Sequence, residues 1–257
     1  MSAGAGVPEI EITGVTKQYG NAHAVLESID LHVAKQEFLS IIGPSGCGKS
    51  TILKLIAGLA VPTSGTIRVD GMTPQNARET ISFVFQDATL LPWRTVKDNI
   101  GLGLELEGVS NDRREQEIAA LLELVGLKNV ASAYPRELSG GMKMRVSIAR
   151  ALATNPRLML LDEPFAALDE MSRDRLNEEI LRLRAEQNWT AVFVTHSVSE
   201  AVFLSDRILV LAPNPGRIYA EFPVDLPAPR TSAIRNSQEF DAIVGRVSHT
   251  LRETLRQ

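Results

Sequence analysis

The sequence predicts an α/β fold: a sheet covered on both faces, with an antiparallel β edge and an inserted helical subdomain. Three observations support this class. Short apolar runs such as Phe38–Ile42 and Leu158–Leu161 are typical of strands whose two faces are both buried. Residues 50–59 follow the first run with apolar side chains at helical spacing. Between Gln86 and Tyr134 the pattern is helical throughout, which indicates an insertion.

The individual elements follow from alternation, apolar runs and helical spacing. The predicted strands are residues 9–13, 31–33, 38–42, 67–69, 81–85, 158–161, 190–195, 208–212 and 217–222, the last completing the antiparallel edge. The predicted helices are residues 50–59, 113–127, 141–153, a helix striped by Leu176, Ile180 and Leu183, and residues 234–255. On the striped helix, Glu178 and Arg182 are expected to pair across one turn.

Four parts are expected along the chain. Residues 1–86 form the N-terminal part of the α/β core, and residues 87–137 form the helical subdomain. Residues 138–222 hold a glycine-led helix and the rest of the core. Proline-rich residues 223–230 form a linker that leads to the terminal helix, so the last part is residues 223–257.

Composition excludes several classes of protein. A net charge of −4 and a pI of about 5.7 argue against nucleic acid as a partner. The only cysteine is Cys47, so an intrachain disulfide is excluded, and Met1–Ile10 lacks the basic and apolar regions of a secretory signal. No apolar run approaches the roughly 18 residues that span a bilayer. Any membrane role is therefore expected to come through a partner.

A glycine-rich loop follows the strand Phe38–Ile42. It runs Gly43-Pro44-Ser45-Gly46-Cys47-Gly48-Lys49-Ser50-Thr51 and matches G-x-x-x-x-G-K-[ST], whose backbone N–H groups cradle phosphates. Lys49 is expected to reach the β and γ oxygens of a nucleotide, and Ser50 to offer its hydroxyl to Mg²⁺. The structural alternative is an ordinary glycine turn with an exposed lysine, which the flanking strand and helix disfavour.

Two carboxylates end the strand Leu158–Leu161, at the edge where open α/β sheets bind ligands. Because successive residues of a strand point to opposite faces, Asp162 and Glu163 are expected to do different jobs. Asp162 is the candidate Mg²⁺ ligand and Glu163 the candidate base for an attacking water. The alternative is an acidic turn before Pro164.

A third motif, Leu138-Ser139-Gly140-Gly141-Met142, opens another helix, where free N–H groups and the helix dipole attract an anion. With the two earlier motifs and the run Arg145–Leu152, it resembles the signature of the ATP-binding cassette (ABC) ATPases of ABC transporters. The resemblance extends from about Tyr19 to Gly216. It implies a P-loop NTPase core, ATP and Mg²⁺ as ligands, and an ATP-dependent homodimer. In that dimer, Ser139, Gly140 and Gly141 would face the nucleotide of the partner.

The resemblance also implies roles for single residues. Gln86 is similar to the glutamine that touches Mg²⁺ and the attacking water, His196 to the switch histidine on the γ-phosphate, and Tyr19 to the aromatic residue that stacks on adenine. The implied catalytic set is Glu163, His196 and Gln86, and the implied metal ligands are Ser50, Gln86 and Asp162.

Two positions depart from the family pattern, and neither removes a catalytic group. Met142 stands where glutamine is most frequent, and Ser197 where aspartate often follows the histidine. Ser197 has a local explanation, since Ser197-Val198-Ser199-Glu200 matches the capping box that starts a helix.

Two segments indicate a subgroup within this family. Phe85–Val96 and Pro213–Ile218 resemble the nitrate, sulfonate and taurine importer ATPases. The ATPases of importers for pyrimidine precursors are similar in these segments. The resemblance implies a membrane permease and a solute-binding protein as partners, with this chain on the cytoplasmic face of the inner membrane. Leu90, Leu91 and Trp93 are expected either to contact the permease or to cap the helical subdomain. The other functions considered are a soluble ABC-type ATPase in an assembly or repair complex and a nucleotide-binding regulator.

Overall fold

The computed structural model describes residues 7–20 and 23–255. Most of the segment examined for a secretory signal, residues 1–6, lies outside this range. The strands are β1 Ile10–Gln18, β2 Ala24–Val33, β3 Phe38–Ile42, β4 Ser64–Val69, β5 Ile81–Val84, β6 Leu158–Asp162, β7 Thr190–Val194, β8 Arg207–Ala212 and β9 Arg217–Pro223. The helices are α1 Lys49–Ile56, α2 Val96–Ile100, α3 Leu102–Leu106, α4 Asn111–Leu124, α5 Gly140–Ala153, α6 Glu170–Gln187, α7 Val198–Leu204 and α8 Gln238–Thr254. Short 3₁₀ turns occupy Arg78–Thr80, Lys128–Val130, Pro135–Glu137 and Ser232–Asn236.

Within the described residues the strands form two sheets. One is antiparallel, with the order β2-β1-β4. The other has the order β5-β6-β7-β3-β8-β9 and is parallel except for the β8–β9 pair at its edge. The predicted α/β class with an antiparallel edge is therefore confirmed.

The larger sheet is buried on both faces, as its apolar strands predict. In β3, Phe38 and Ile42 pack on one side, in the cluster that contains α6, α7 and α8. Leu39 and Ile41 pack on the other side, against α1 and the antiparallel sheet. Because parallel strands present their carboxyl ends at one edge, the loops after β3, β5, β6 and β7 meet there.

A third apolar cluster lies in the helical segment between β5 and β6. It joins α2 and α4 to one side of α5, with Val96, Ile118 and Val146 all buried. Leu90 packs against this cluster, whereas the side chain of Trp93 is 71% exposed. Leu90 therefore packs on the helices, and the contact of this stretch with a permease stays a prediction.

The structure changes three predicted helices. The helix predicted over residues 113–127 begins at Asn111 and ends at Leu124, since Gly126 adopts a φ of +66°. The helix predicted over residues 50–59 ends at Ile56, since Gly58 adopts a φ of +66°, a conformation that ends helices. The helix predicted over residues 234–255 is divided: a 3₁₀ turn over 232–236 comes first, and Ser237 then caps α8 by accepting a hydrogen bond from Phe240 N.

The predicted Glu178–Arg182 pair is wrong. Arg182 instead binds Glu179 at 2.8 Å and Glu186 at 2.9 Å. Glu178 faces the C-terminal segment, where its Oε1 accepts a hydrogen bond from the backbone N of Ser232 at 2.5 Å. Among the described residues, no helix is long and apolar enough to cross a membrane.

Candidate active site

The phosphate loop connects β3 to α1, and Lys49 folds back across it. Its Nζ donates to the carbonyl oxygens of Gly43 at 2.9 Å and Pro44 at 3.0 Å, and the residue is 5% exposed. Cys47, a residue of the same loop, is fully buried, and burial raises the pKa of its thiol. The ammonium group thus lies at the centre of the loop, where it can exchange two carbonyl partners for phosphate oxygens.

Glycine is required at the start of α1. Gly48 has a φ of +97°, which side-chain-bearing residues rarely adopt, and a Cβ there would overlap Leu26 Cδ2. This conformation turns the chain from the loop into the helix, so that Lys49 and Ser50 occupy the first turn of α1.

Ser50 and Asp162 meet at the carboxyl edge of the sheet. Ser50 Oγ donates to Asp162 Oδ1 at 2.9 Å, and Asp162 is 4% exposed. Burial raises the pKa of the Asp162 carboxyl, and the hydrogen bond from Ser50 opposes that rise. Mg²⁺ binds hard oxygen ligands such as hydroxyl and carboxylate groups. It usually takes one or two of these ligands from the protein, and water and phosphate oxygens supply the rest. The donor set therefore fits Mg²⁺.

Glu163 lies between His196 and Gln86. Its Oε1 is 2.7 Å from His196 Nε2, and its Oε2 accepts a hydrogen bond from Gln86 Nε2 at 3.4 Å. The backbone makes this possible, because Glu163 has a φ of +49° and its N–H donates to Val194 O at 2.9 Å. A left-handed conformation at a non-glycine residue is strained, and such strain is concentrated at functional sites. The side chain thereby reaches Gln86 and His196, which follow β5 and β7.

The glycine-rich turn at the start of α5 follows the 3₁₀ turn Pro135–Glu137. Ser139 Oγ accepts a hydrogen bond from Met142 N at 3.2 Å, so the side chain caps its own helix. Ser139 and Gly140 are exposed. Among the described residues, no hydrogen bond or ion pair joins Ser139–Gly141 to the phosphate loop or to Glu163. Within the chain the turn packs instead against the loop before α6, since a Cβ at Gly141 would lie 3.1 Å from the carbonyl oxygen of Ala167.

Tyr19 follows β1 and is 48% exposed. Lys17 Nζ lies 4.5 Å from the centroid of its ring. The ring is held by a cation on one side, and an exposed aromatic face of this kind can stack on a nucleobase.

Comparison with known proteins identifies this arrangement. The family model described as "ABC transporter" matches residues 26–166. The nitrate import ATP-binding protein NrtD of Synechocystis sp. is 42% identical over 252 residues, which is 95% of this chain and 95% of that protein. The chain belongs to the ABC transporter family. The aliphatic sulfonates import ATP-binding protein SsuB of Bacillus subtilis is 42% identical, over 92% of this chain and 91% of that protein.

The fold of this ABC protein matches a solved cassette. The ATP-binding cassette MJ0796, a dimer in a post-hydrolysis state bound to ADP and Pi, superimposes with a TM-score of 0.78 at 33% identity. The match covers 85% of this chain and all of that one. The chain is accordingly an ABC-type ATPase that binds and hydrolyses ATP.

The structure of this ABC ATPase adds a buried network behind His196 that the sequence did not reveal. Thr195 Oγ1 donates to Glu200 Oε2 at 2.6 Å, and Arg173 Nε is 3.3 Å from Glu200 Oε1. Arg173 also donates to the carbonyl oxygen of Leu168 at 3.0 Å. Glu163, His196, Arg173 and Glu200 line one cavity of about 290 Å³. The network links the residue before His196 to the loop that precedes α6.

This network changes the predicted capping box. Ser197 Oγ accepts a hydrogen bond from Glu200 N at 3.2 Å, as predicted, but Ser197 N donates to Thr195 Oγ1 at 3.0 Å rather than to the Glu200 carboxylate. Burial raises the pKa of Glu200, while Thr195 and Arg173 oppose that rise.

Gly216 is another residue that the sequence motifs did not place beside the phosphate loop. A Cβ at this position would overlap the carbonyl oxygen of Cys47 and lie 2.9 Å from Leu26 Cδ2. Gly216 N donates to Val25 O at 2.9 Å, and its carbonyl accepts from Glu27 N at 3.0 Å. The loop before β9 therefore packs directly against the back of the phosphate loop.

Proposed function

We propose that this chain is the energy-coupling ATPase of a membrane importer for nitrate, a sulfonate, taurine or a related small solute. The observation that carries the proposal is the 42% identity to a nitrate import ATP-binding protein over 95% of both chains, together with a similar match to a sulfonate import protein. The partners in this proposal are a permease in the membrane and a solute-binding protein, with the chain on the cytoplasmic face of the membrane.

In the proposed mechanism, Tyr19 stacks on adenine and the backbone of residues 43–51 holds the phosphates. Lys49 exchanges its contacts with the carbonyls of Gly43 and Pro44 for the β and γ oxygens. Ser50, Asp162 and Gln86 would hold Mg²⁺. When bound, that ion neutralises charge on the phosphate oxygens.

Glu163 is the proposed base. Its carboxylate accepts a proton from the water that attacks the γ-phosphorus, and the bond from that phosphorus to the bridging oxygen of ADP breaks. His196, 2.7 Å away, orients the carboxylate, and Gln86 holds its other oxygen. Most of the acceleration comes from positioning and charge stabilisation, as is usual in phosphoryl transfer.

A second copy of the chain completes each site in this proposal. Ser139, Gly140 and Gly141 lie at a helix N-terminus, where a γ-phosphate of the partner can bind. The dimeric cassette MJ0796 supports this assembly. Closure of the dimer would move residues 87–137, the proposed helical subdomain, and through it the permease.

Trp93 is the proposed permease contact, and it supplies the test. The experiment compares uptake of labelled nitrate, sulfonate and taurine in cells that carry wild-type chain, Trp93→Ala or Leu106→Ala. Leu106 is the matched control because it is 79% exposed in the same helical segment. We expect only Trp93→Ala to lower uptake, about tenfold, while both variants keep the ATPase activity of the isolated chain.

Affinity purification from solubilised membranes accompanies the uptake assay. A polytopic permease that co-purifies with wild-type chain in stoichiometric amounts, and is lost with Trp93→Ala, supports the proposal. Recovery with soluble partners only, or with DNA, contradicts the import function and leaves the ATPase chemistry intact.

A further inference from the structure

Arg230, in the segment after β9, binds the C-terminal end of α7. The Arg230 guanidinium donates to the carbonyl oxygens of Phe203 at 3.1 Å and Ser205 at 2.7 Å, and also to that of Val224 at 3.3 Å. The last carbonyls of a helix have no partner within the helix and carry its negative dipole end. A guanidinium is therefore well suited to hold this end in place.

Arg235, in the same segment, binds the first turn of α7. Arg235 donates to Ser199 Oγ at 3.1 Å and lies 3.2 Å from Asp174 Oδ1 of α6. Its guanidinium carbon is 4.1 Å from the centroid of the Phe203 ring. The side chain is only 17% exposed, so these contacts are shielded from solvent.

Apolar packing and a backbone contact hold the segment itself. Phe240, Ile243 and Val247 of α8 are buried in one cluster with Ala201 and Phe203 of α7. The hydrogen bond from Ser232 N to Glu178 Oε1 ties the 3₁₀ turn to α6. Arg230 and Arg235 therefore belong to a segment whose position is fixed by packing and hydrogen bonding.

His196 lies immediately before this helix, because Ser197 is the N-cap of α7. A shift of α7 would carry the His196 backbone with it and change the 2.7 Å contact with Glu163. We propose that Arg230 and Arg235 are positioning residues for ATP hydrolysis: the C-terminal segment fixes α7 and so holds His196 against Glu163. This inference rests on the proposed role of His196 in hydrolysis.

The test compares Arg235→Ala and Arg235→Lys with Arg252→Ala in the full-length chain. Arg252 is the matched control, because it is exposed on α8 and donates to Ser248 O within its own helix. We expect Arg235→Ala to lower kcat about tenfold with the KM for ATP unchanged within about twofold, since misplacement of a catalytic group acts on the chemical step. Arg235→Lys keeps a cation near Asp174 and should recover part of kcat.

A readout beyond activity separates positioning from loss of stability. The chain has four histidines, so the His196 imidazole signal can be assigned by its absence in His196→Ala. At a temperature where all variants are folded, we expect Arg235→Ala to shift this signal and Arg252→Ala to leave it in place. The double variant Ser199→Ala/Arg235→Ala should lower kcat by less than the product of the two single-variant reductions. The reason is that both substitutions remove the same Arg235–Ser199 hydrogen bond.

The outcomes distinguish the role of His196 in hydrolysis from the positioning role of Arg230 and Arg235. Full turnover in His196→Ala contradicts the proposed role of His196. Loss of turnover in His196→Ala, with wild-type kcat and an unshifted His196 signal in Arg235→Ala, overturns the positioning inference alone. A lower melting temperature with unchanged kcat in the folded variant also overturns it.

Discussion

Glu163 Oε1 lies 2.7 Å from Nε2 of His196, although the two residues follow different strands of the sheet, β6 and β7. Glu163 adopts a left-handed backbone conformation, and its carboxylate contacts His196 and Gln86, whereas the Asp162 carboxylate contacts Ser50. The site thereby separates two carboxylates that are adjacent in sequence. Asp162 binds Ser50 and is the proposed metal ligand, whereas Glu163 binds the imidazole and is the proposed base.

Glu163→Gln tests the base directly. Glutamine preserves the size of the side chain and can still bind His196, but it cannot accept a proton from water. We expect ATP turnover to fall by at least about 100-fold while ATP binding persists. A nucleotide-dependent dimer should accumulate, which light scattering after size-exclusion chromatography measures.

Glu186→Gln is the control for this substitution, because Glu186 is an exposed glutamate that pairs with Arg182 on α6. It should keep wild-type turnover. Turnover close to wild type in Glu163→Gln would remove Glu163 from the mechanism.

Ser139→Ala tests the contact across the dimer. We expect a loss of hydrolysis with no loss of ATP affinity in the monomer, because among the described residues Ser139 makes no hydrogen bond to its own phosphate loop and caps α5 instead. The substitution also removes a helix cap and should cost about 1 kcal/mol of stability. Calorimetric ATP binding, turnover and urea unfolding measure the three effects.

Thr95→Ala is the matched control, since Thr95 caps α2 in the same way by accepting from Asp98 N. It should show a similar loss of stability and normal hydrolysis. An equal loss of ATP affinity in Ser139→Ala would place Ser139 in the chain's own pocket.

The features that the sequence predicted are local ones. The phosphate loop and the carboxylates at the end of β6 follow from short motifs in the right strand and helix context. The Glu200 network was not predicted, because its partner Arg173 comes from α6 and meets it only through packing. The predicted capping box failed in part for the same reason: Thr195 and Arg173 bind the carboxylate that the local pattern assigns to Ser197 N.

The C-terminal region shows the same limit. Apolar spacing predicted a continuous helix over residues 234–255, but Ser237 begins a new helix there. The preceding 3₁₀ turn is held by Glu178 and Asp174, which lie on α6. Tertiary contacts of this kind leave no signal in a short window of sequence.

Gly216→Ala tests the support of the phosphate loop. A methyl group at this position would overlap the Cys47 carbonyl, so the loop must shift. Overpacking of this kind costs about 1–3 kcal/mol, and we expect ATP affinity to fall about tenfold as the loop N–H groups move. Gly245→Ala is the control, because a Cβ there meets nothing within 4 Å and Gly245 lies within α8. Wild-type affinity in Gly216→Ala, measured by titration with ATP, would show that the contact does not support the loop.

The raised pKa of Glu200 predicts a pH dependence of stability. Burial raises this pKa above the ordinary 4.5, so in the window between 4.5 and the raised value the folded state holds more protons than the unfolded state. The contribution of Glu200 to the free energy of unfolding is therefore fully present below about pH 4.5 and is lost as the pH rises through the raised pKa. Urea unfolding of wild type and Glu200→Gln from pH 4 upward measures it. We expect the stability of wild type relative to the variant to decrease with pH and then become constant. The opposite slope would mean that the Arg173 ion pair outweighs burial and lowers the pKa.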